Sequence, residues 1–207
     1  MSILTLISDT LVSPAAAGNI EYTSPIFAGT PIGTQRGIVP TQQYYRLDSA
    51  LAGANATGAQ SVFGVGVTLS SGTVYEFEML IPLGKTAGTT SHTTGLSFGG
   101  TATLNNIGYF FTGYGGTTSL SLDSAAQTSG FVKVATNTVI TGAITAATFN
   151  WWFMVKGTVS VNSGGTFIPQ YTLSAAPGGA YSTVAGSYFR INPLSASGAN
   201  TNVGTWA

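Results

Sequence analysis

From Tyr44 onward the chain alternates apolar and polar residues with a period of two, the spacing that sends successive side chains to opposite faces of an extended strand. The clearest run is Thr73–Ile81, with Tyr75, Phe77, Met79 and Ile81 on one face and Glu76 and Glu78 on the other. Ser61–Leu69 sets Phe63, Val65, Val67 and Leu69 against Val62, Gly64, Gly66 and Thr68. Its alternating glycines predict that another part of the chain approaches that second face closely. Pro82–Thr90 reads as a surface loop, after which His92, Thr94, Leu96 and Phe98 share one side of a further strand. Leu104–Tyr114 carries Ile107, Tyr109, Phe110 and Phe111 and leads into a Gly-Thr-Ser-rich connection reaching Gly130. Phe131–Val134, Thr138–Thr141 and Gly186–Pro193 are short strands by the same reasoning.

The densest apolar stretch is Trp151–Val161, followed by the polar connection Asn162–Gly165 and a second run, Thr166–Leu173. Two β-rich runs around four polar and glycine residues predict a long hairpin. Trp151, Phe153, Val155, Gly157 and Val159 fall on one face, and Trp152, Met154, Lys156 and Thr158 on the other. Both faces begin apolar and only one turns polar. Such a strand suits the middle of a sandwich, or a sandwich face that packs against another subunit. No window of ten or more residues has helical periodicity, and Gly53 and Gly58 weaken the Ala-rich piece 50–59 as a helix. Regular strands without helices predict an all-β fold: a jelly-roll-like antiparallel β-sandwich of roughly eight to ten strands, without internal repeats.

Residues 1–47 differ in texture from 48–207 and are expected to form an extended N-terminal arm beside the sandwich domain. Pro14, Pro25, Pro31 and Pro40 punctuate it, and proline removes a ladder donor and disfavours helix. Gly18–Thr23 and Thr34–Pro40 read as short strands joined by an irregular loop, Ser24–Gly33. A Pro- and Gly-rich arm needs a partner for its backbone polar groups, either the main sheet or a neighbouring subunit or particle. At the other end, Trp206 next to the last residue is expected to be anchored.

Composition sharpens this picture through charge. Only 6% of the 207 residues are charged and the formal net charge is zero, against roughly 25% charged in an average soluble domain. Nucleic acid is therefore not an expected partner, and identical copies have no electrostatic protection against associating. With no Cys, neither a disulfide framework nor a thiolate metal site exists. Met1–Asp9 has a short apolar run without basic residues before it, so no secretion signal is expected. No window approaches the ~20 apolar residues of a membrane span, so no membrane association is expected.

Six acids, six bases and one His leave few candidates for chemistry. Glu76 and Glu78 lie at i and i+2 with carboxyls roughly 6–7 Å apart by strand rise, within the spacing of glycosidase pairs. Adjacent carboxylates on one outward face are ordinarily its wetted side, and Lys133, Lys156 or Arg190 are the expected partners across a sheet or subunit boundary. His92 stands alone where zinc needs three or four ligands, and it reads as a strand-edge or internally satisfied histidine. No nucleophile elbow is present, and Gly113–Gly116 lacks the lysine and helix of a phosphate loop. Arg36 and Arg46 are expected to tie the arm to the body, and Trp151 and Trp152 to serve core or interface rather than sugar stacking. No residue is assigned a catalytic, cofactor-binding or metal role, no cofactor is expected, and the chain does not read as an enzyme.

Several pieces together resemble a family of tailed-bacteriophage virion structural proteins. They are Gly18–Tyr22, Thr34–Pro40, Gln43–Leu47, Ser61–Val67, Val74–Glu78, Lys156–Val159, Thr166–Tyr171, Ser187–Arg190 and Val203–Trp206. In that family an arm-like block and a β-rich block commonly close much longer fibre-like proteins. The resemblance implies a non-enzymatic, trimeric β-rich module displayed on a virion. With so little sequence before Gly18, the expectation is a module set directly on the particle, a capsid decoration (cement) protein or short head fibre. Its partners would be identical copies and the major capsid protein or other virion proteins. The alternative is a tail-fibre or receptor tip that binds a host-surface glycan.

Overall fold

The structure, a computed structural model, describes residues 6–117, 126–200 and 202–206. The start of the apolar N-terminal run (1–5) and the middle of the Gly-Thr-Ser-rich connection (118–125) lie outside the described residues. The described residues form sixteen strands and no helix. β1 (Ile20–Thr23), β2 (Ile26–Ile32) and β3 (Gln35–Val39) make a three-stranded antiparallel sheet of their own. Next come β4 (Gln43–Arg46), β5 (Leu51–Ala52), β6 (Gln60–Ser61), β7 (Val67–Leu69), β8 (Thr73–Lys85) and β9 (Thr94–Gly99). β10 (Thr103–Gly116), β11 (Ala126–Val132), β12 (Thr138–Val139) and β13 (Phe149–Ser163) follow, then β14 (Gly165–Leu173), β15 (Ser182–Thr183) and β16 (Tyr188–Ala196).

Two antiparallel sheets form the sandwich. The larger has eight strands and runs β11-β10-β13-β8. The far edge of β8 is then shared, by β16 with β4 outside it and by β15 with β5 outside it. The smaller has five, in the order β12-β9-β14-β6, with β7 also on β14. Phe77 of β8, Phe98 of β9 and Phe167 of β14 meet between the layers, with ring centroids 5.3 Å (Phe77–Phe98) and 4.8 Å (Phe98–Phe167) apart. Tyr109 of β10 reaches Phe98 from the other side at 5.2 Å. These side chains and Trp151, Phe153 and Val155 are buried, and each fully buried large apolar side chain contributes about 1.5–3 kcal/mol. The sequence-predicted faces of β8 and β13 are the observed ones.

The predicted hairpin does not form. β13 is hydrogen-bonded along both edges, to β10 and to β8, while β14 pairs with β9, β6 and β7 in the other sheet. Only Gly164 separates them, so the chain arches from one layer to the other instead of folding back in plane. The arch requires glycine: a Cβ at Gly164 would lie 2.8 Å from Leu69 O, and one at Gly165 2.6 Å from Ala102 N. A polar, glycine-rich connector is compatible with hairpin and arch alike; the strands that claim the edges of β13 come from elsewhere in the chain.

Other boundaries also move. Ser24–Gly33, expected to be a loop, contains β2, the central strand of the arm sheet, with Ile26, Ala28 and Thr30 buried and a register irregularity beside Pro31. The expected strand Ser61–Leu69 is broken after Ser61, because Gly64 (φ 72°) turns the chain and its N–H donates to Ser61 Oγ at 2.9 Å. Close approach is real at Gly66, where a Cβ would lie 2.6 Å from Ile168 Cγ1. Pro82–Lys85, expected on the surface, continues β8 into the interior; the Pro82 carbonyl accepts from Val184 N at 2.9 Å. Three strands of two residues each, β5, β6 and β15, account for part of the excess over the expected number. β4, within the expected arm 1–47, pairs with β16, so the separate sheet ends at Val39.

Candidate interaction surfaces

Glu76 and Glu78, side by side on the outer face of β8, are paired with cations of neighbouring strands. Glu76 meets Lys156 of β13 at 3.3 Å, and Glu78 takes Arg190 of β16 at 2.7 Å and the Tyr188 hydroxyl at 2.8 Å. Register puts Arg190 directly opposite Glu78, while Lys156, also opposite Glu78, reaches diagonally to Glu76. The Arg190 hydrogen bond outweighs desolvation and, with the Tyr188 hydroxyl, holds the Glu78 carboxyl below its ordinary range. The Tyr188 hydroxyl is pushed up by burial and by donating to Glu78. Two of the expected partners are thus in place within the chain, while Lys133 lies over the Phe131 ring at 5.8 Å. A carboxylate committed to a guanidinium and a hydroxyl has no proton to give at neutral pH.

His92 is buried, with Nδ1 2.7 Å from Thr90 O and Nε2 2.9 Å from the Tyr181 hydroxyl. The carbonyl can only accept, so Nδ1 carries a hydrogen, and with the Tyr181 hydroxyl at Nε2 both ring nitrogens have a partner within the chain. Beside it lies a residue the sequence reading missed. The Lys85 ammonium is buried and donates to four carbonyls, Gly88 O at 2.7 Å, Ala147 O at 3.2 Å, Ala87 O at 3.3 Å and Ala146 O. Tyr181 faces it, the ammonium lying 6.0 Å from the ring centroid. Burial lowers the Lys85 pKa and raises that of the Tyr181 hydroxyl. The alternation of Tyr75 to Ile81, carried two steps further, lands on Leu83 and Lys85, and that was the available signal. The arrangement clamps the chain after β8 to the chain before β13. Among the described residues no three of His, Cys, Asp and Glu come together as metal ligands do.

Arg36 does not tie the arm to the body. Its guanidinium binds Glu21 at 2.9 Å and Val12 O at 2.5 Å, all within the N-terminal segment. The reason is register: β1 and β3 flank β2, and Glu21 and Arg36 stand on the same largely covered face of the arm sheet, within reach of each other. Arg46 likewise pairs locally, with Asp48. The arm sheet leaves Ile20, Ile32 and Val39 exposed, and Ile7 and Val12 beside it are exposed as well. Trp206 is also exposed, with Nε1 donating to Val203 O at 3.1 Å, so the expected burial of this side chain is not seen among the described residues. Trp151 is core as expected, and Trp152 stands on the outer face.

A groove of about 290 Å³ opens where β4 and β7 leave the edge of the sandwich unclosed, lined by Tyr44, Tyr45, Phe63, Val65, Val67 and Phe189 among others. Among the described residues no helix is long and apolar enough to cross a membrane. Set against known proteins, the chain matches no family model and no curated sequence.

Proposed function

We propose that this protein is a non-enzymatic structural component of a tailed-phage virion, a capsid decoration protein or short head fibre. It works as a homo-oligomer, a trimer, and attaches to the major capsid protein through its N-terminal segment. The observation that carries the reading is the arm sheet: among the described residues its three strands pair as strands only with one another and leave Ile20, Ile32 and Val39 in solvent. Exposed apolar side chains on a small sheet beside the sandwich suit a surface that is covered in an assembly. The near absence of charge and the resemblance to phage virion proteins support the same reading.

Deleting residues 1–12 from the full chain tests it. The truncated protein is expected to keep its β-sheet circular dichroism and melting temperature and to stop co-sedimenting with capsids. Equal co-sedimentation of the two forms would overturn the attachment role. A reconstruction of the particle with copies distributed over the shell supports decoration; copies confined to the tail support the second reading, a receptor tip. What favours that second reading is the groove with Tyr44 and Tyr45 at its mouth, both exposed, since aromatic faces at a shallow groove suit sugar rings. Binding to a glycan array that is lost in Tyr45→Ala would establish it.

A further inference from the structure

The outer face of the eight-stranded sheet carries an apolar surface that the sandwich leaves uncovered. Register places Phe131 of β11 beside Phe110 of β10, and Tyr114 and Thr112 of β10 beside Trp152 and Met154 of β13. Half-buried Leu80 of β8 extends the Met154 row, and buried Pro82 ends the Trp152 row. Phe131 is 62% exposed, Phe110 50%, Trp152 39%, Tyr114 38% and Met154 37%. The surface is flat rather than ragged: a Cβ at Gly108 would lie 3.3 Å from Phe131 Cζ, so that ring lies down over the β10 backbone.

Taking 150–250 Å² per large side chain, these five expose about 450 Å². That matches the largest apolar patch of a typical monomer, and such patches are commonly functional. It is also more than half of the roughly 800 Å² that each partner contributes to a stable interface. The charges on this face are already matched within the chain, Lys156 with Glu76 and Arg190 with Glu78. At the edge of the patch Lys133 adds a cation over the Phe131 ring, 5.8 Å from its centroid, while the zero formal charge of the whole chain removes the overall repulsion that would keep identical copies apart.

We propose that this face is where copies of the chain meet, with Phe131, Phe110, Tyr114, Trp152 and Met154 buried against identical subunits. The inference rests on the homo-oligomer reading above and not on the phage role. Sequence places Trp152 and Met154 together on one strand; the fold adds three aromatic residues from two other strands to complete the patch.

The test is the mass of the full-length protein by light scattering and sedimentation, with Phe131→Glu and Met154→Lys combined. Both side chains point away from the core, so the melting temperature is expected to stay within a few degrees. The dissociation constant of the oligomer is expected to rise at least about tenfold, whereas Ile32→Glu in the arm leaves it unchanged. Because the chain has no Cys, a single spin label at Thr112→Cys gives a second readout that does not depend on the double variant folding. Dipolar coupling between labels on different copies is expected. A double variant that keeps the oligomer mass, or labels that show no coupling in an intact oligomer, overturns the assignment and leaves the oligomer reading standing. A monomeric wild type overturns both. Unchanged mass with lost capsid binding gives the face to the shell and overturns self-association.

Discussion

The sandwich and the arm sheet are both antiparallel, yet they differ in what they finish by themselves. In the sandwich every long strand has a buried face, and even a lysine and a histidine inside it have complete sets of partners. In the arm sheet, Ile26, Ala28 and Thr30 are buried on the central strand while Ile20 and Ile32 are 69% and 65% exposed. The difference teaches where each kind of mutation should be read: in the sandwich interior as stability, in the arm and on the exposed outer face of the sandwich as assembly.

The largest effect expected within the sandwich comes from Lys85→Ala. It leaves the carbonyls of Gly88, Ala146, Ala147 and Ala87 without their donor in a buried place and opens a cavity beside Tyr181. A loss of about 3 kcal/mol in denaturant unfolding is expected; an unchanged midpoint would mean that water replaces the ammonium and that this end of the sandwich is not closed.

A smaller effect is expected from Glu78→Gln, and it carries a pH signature. The folded carboxyl lies below its ordinary 4.5, first because of Arg190. The unfolded chain therefore takes up the proton earlier as pH falls. The stabilisation is complete above 4.5 and is lost as pH drops through the folded value. Glu78→Gln should flatten that acid limb and cost about 1 kcal/mol at neutral pH in low salt, because Arg190 is partly exposed and screened. An acid limb of undiminished slope would assign it to other carboxylates.

The smallest effect sharpens the contrast. Arg36→Ala frees Glu21 and the Val12 carbonyl within the arm, so the main calorimetric transition should move by no more than about 0.5 kcal/mol. Limited proteolysis should nick residues 6–40 faster. A large drop in the main transition would show that arm and sandwich unfold as one unit.

Much of the sandwich was legible because burial on one side of a strand writes a period of two into the chain. Tyr75–Ile81 and Trp151–Val159 give their inward faces correctly for that reason, and the ion pairs of Glu76 and Glu78 follow from outward carboxylates needing neighbours on adjacent strands. Lys85 escaped because a proline and a lysine look like loop punctuation, and only the fold, by bringing Ala146 and Ala147 beside Ala87 and Gly88, gathers enough carbonyls to make the interior habitable for an ammonium. β2 escaped because Pro25, Gly29 and Pro31 mask an alternation that two flanking strands enforce.

Sequence alone determined that the chain is all-β, which faces of its long strands turn inward, and that its surface holds almost no charge, since these are local consequences of residue type and spacing. Tertiary structure decided that β13 and β14 belong to different sheets, that Arg36 serves the arm and not the body, and that Phe110, Tyr114 and Phe131 join Trp152 and Met154 on one face. Those outcomes depend on which strands lie side by side, and hydrogen-bonded edges are allotted by competition among segments far apart in the chain, which no local pattern records.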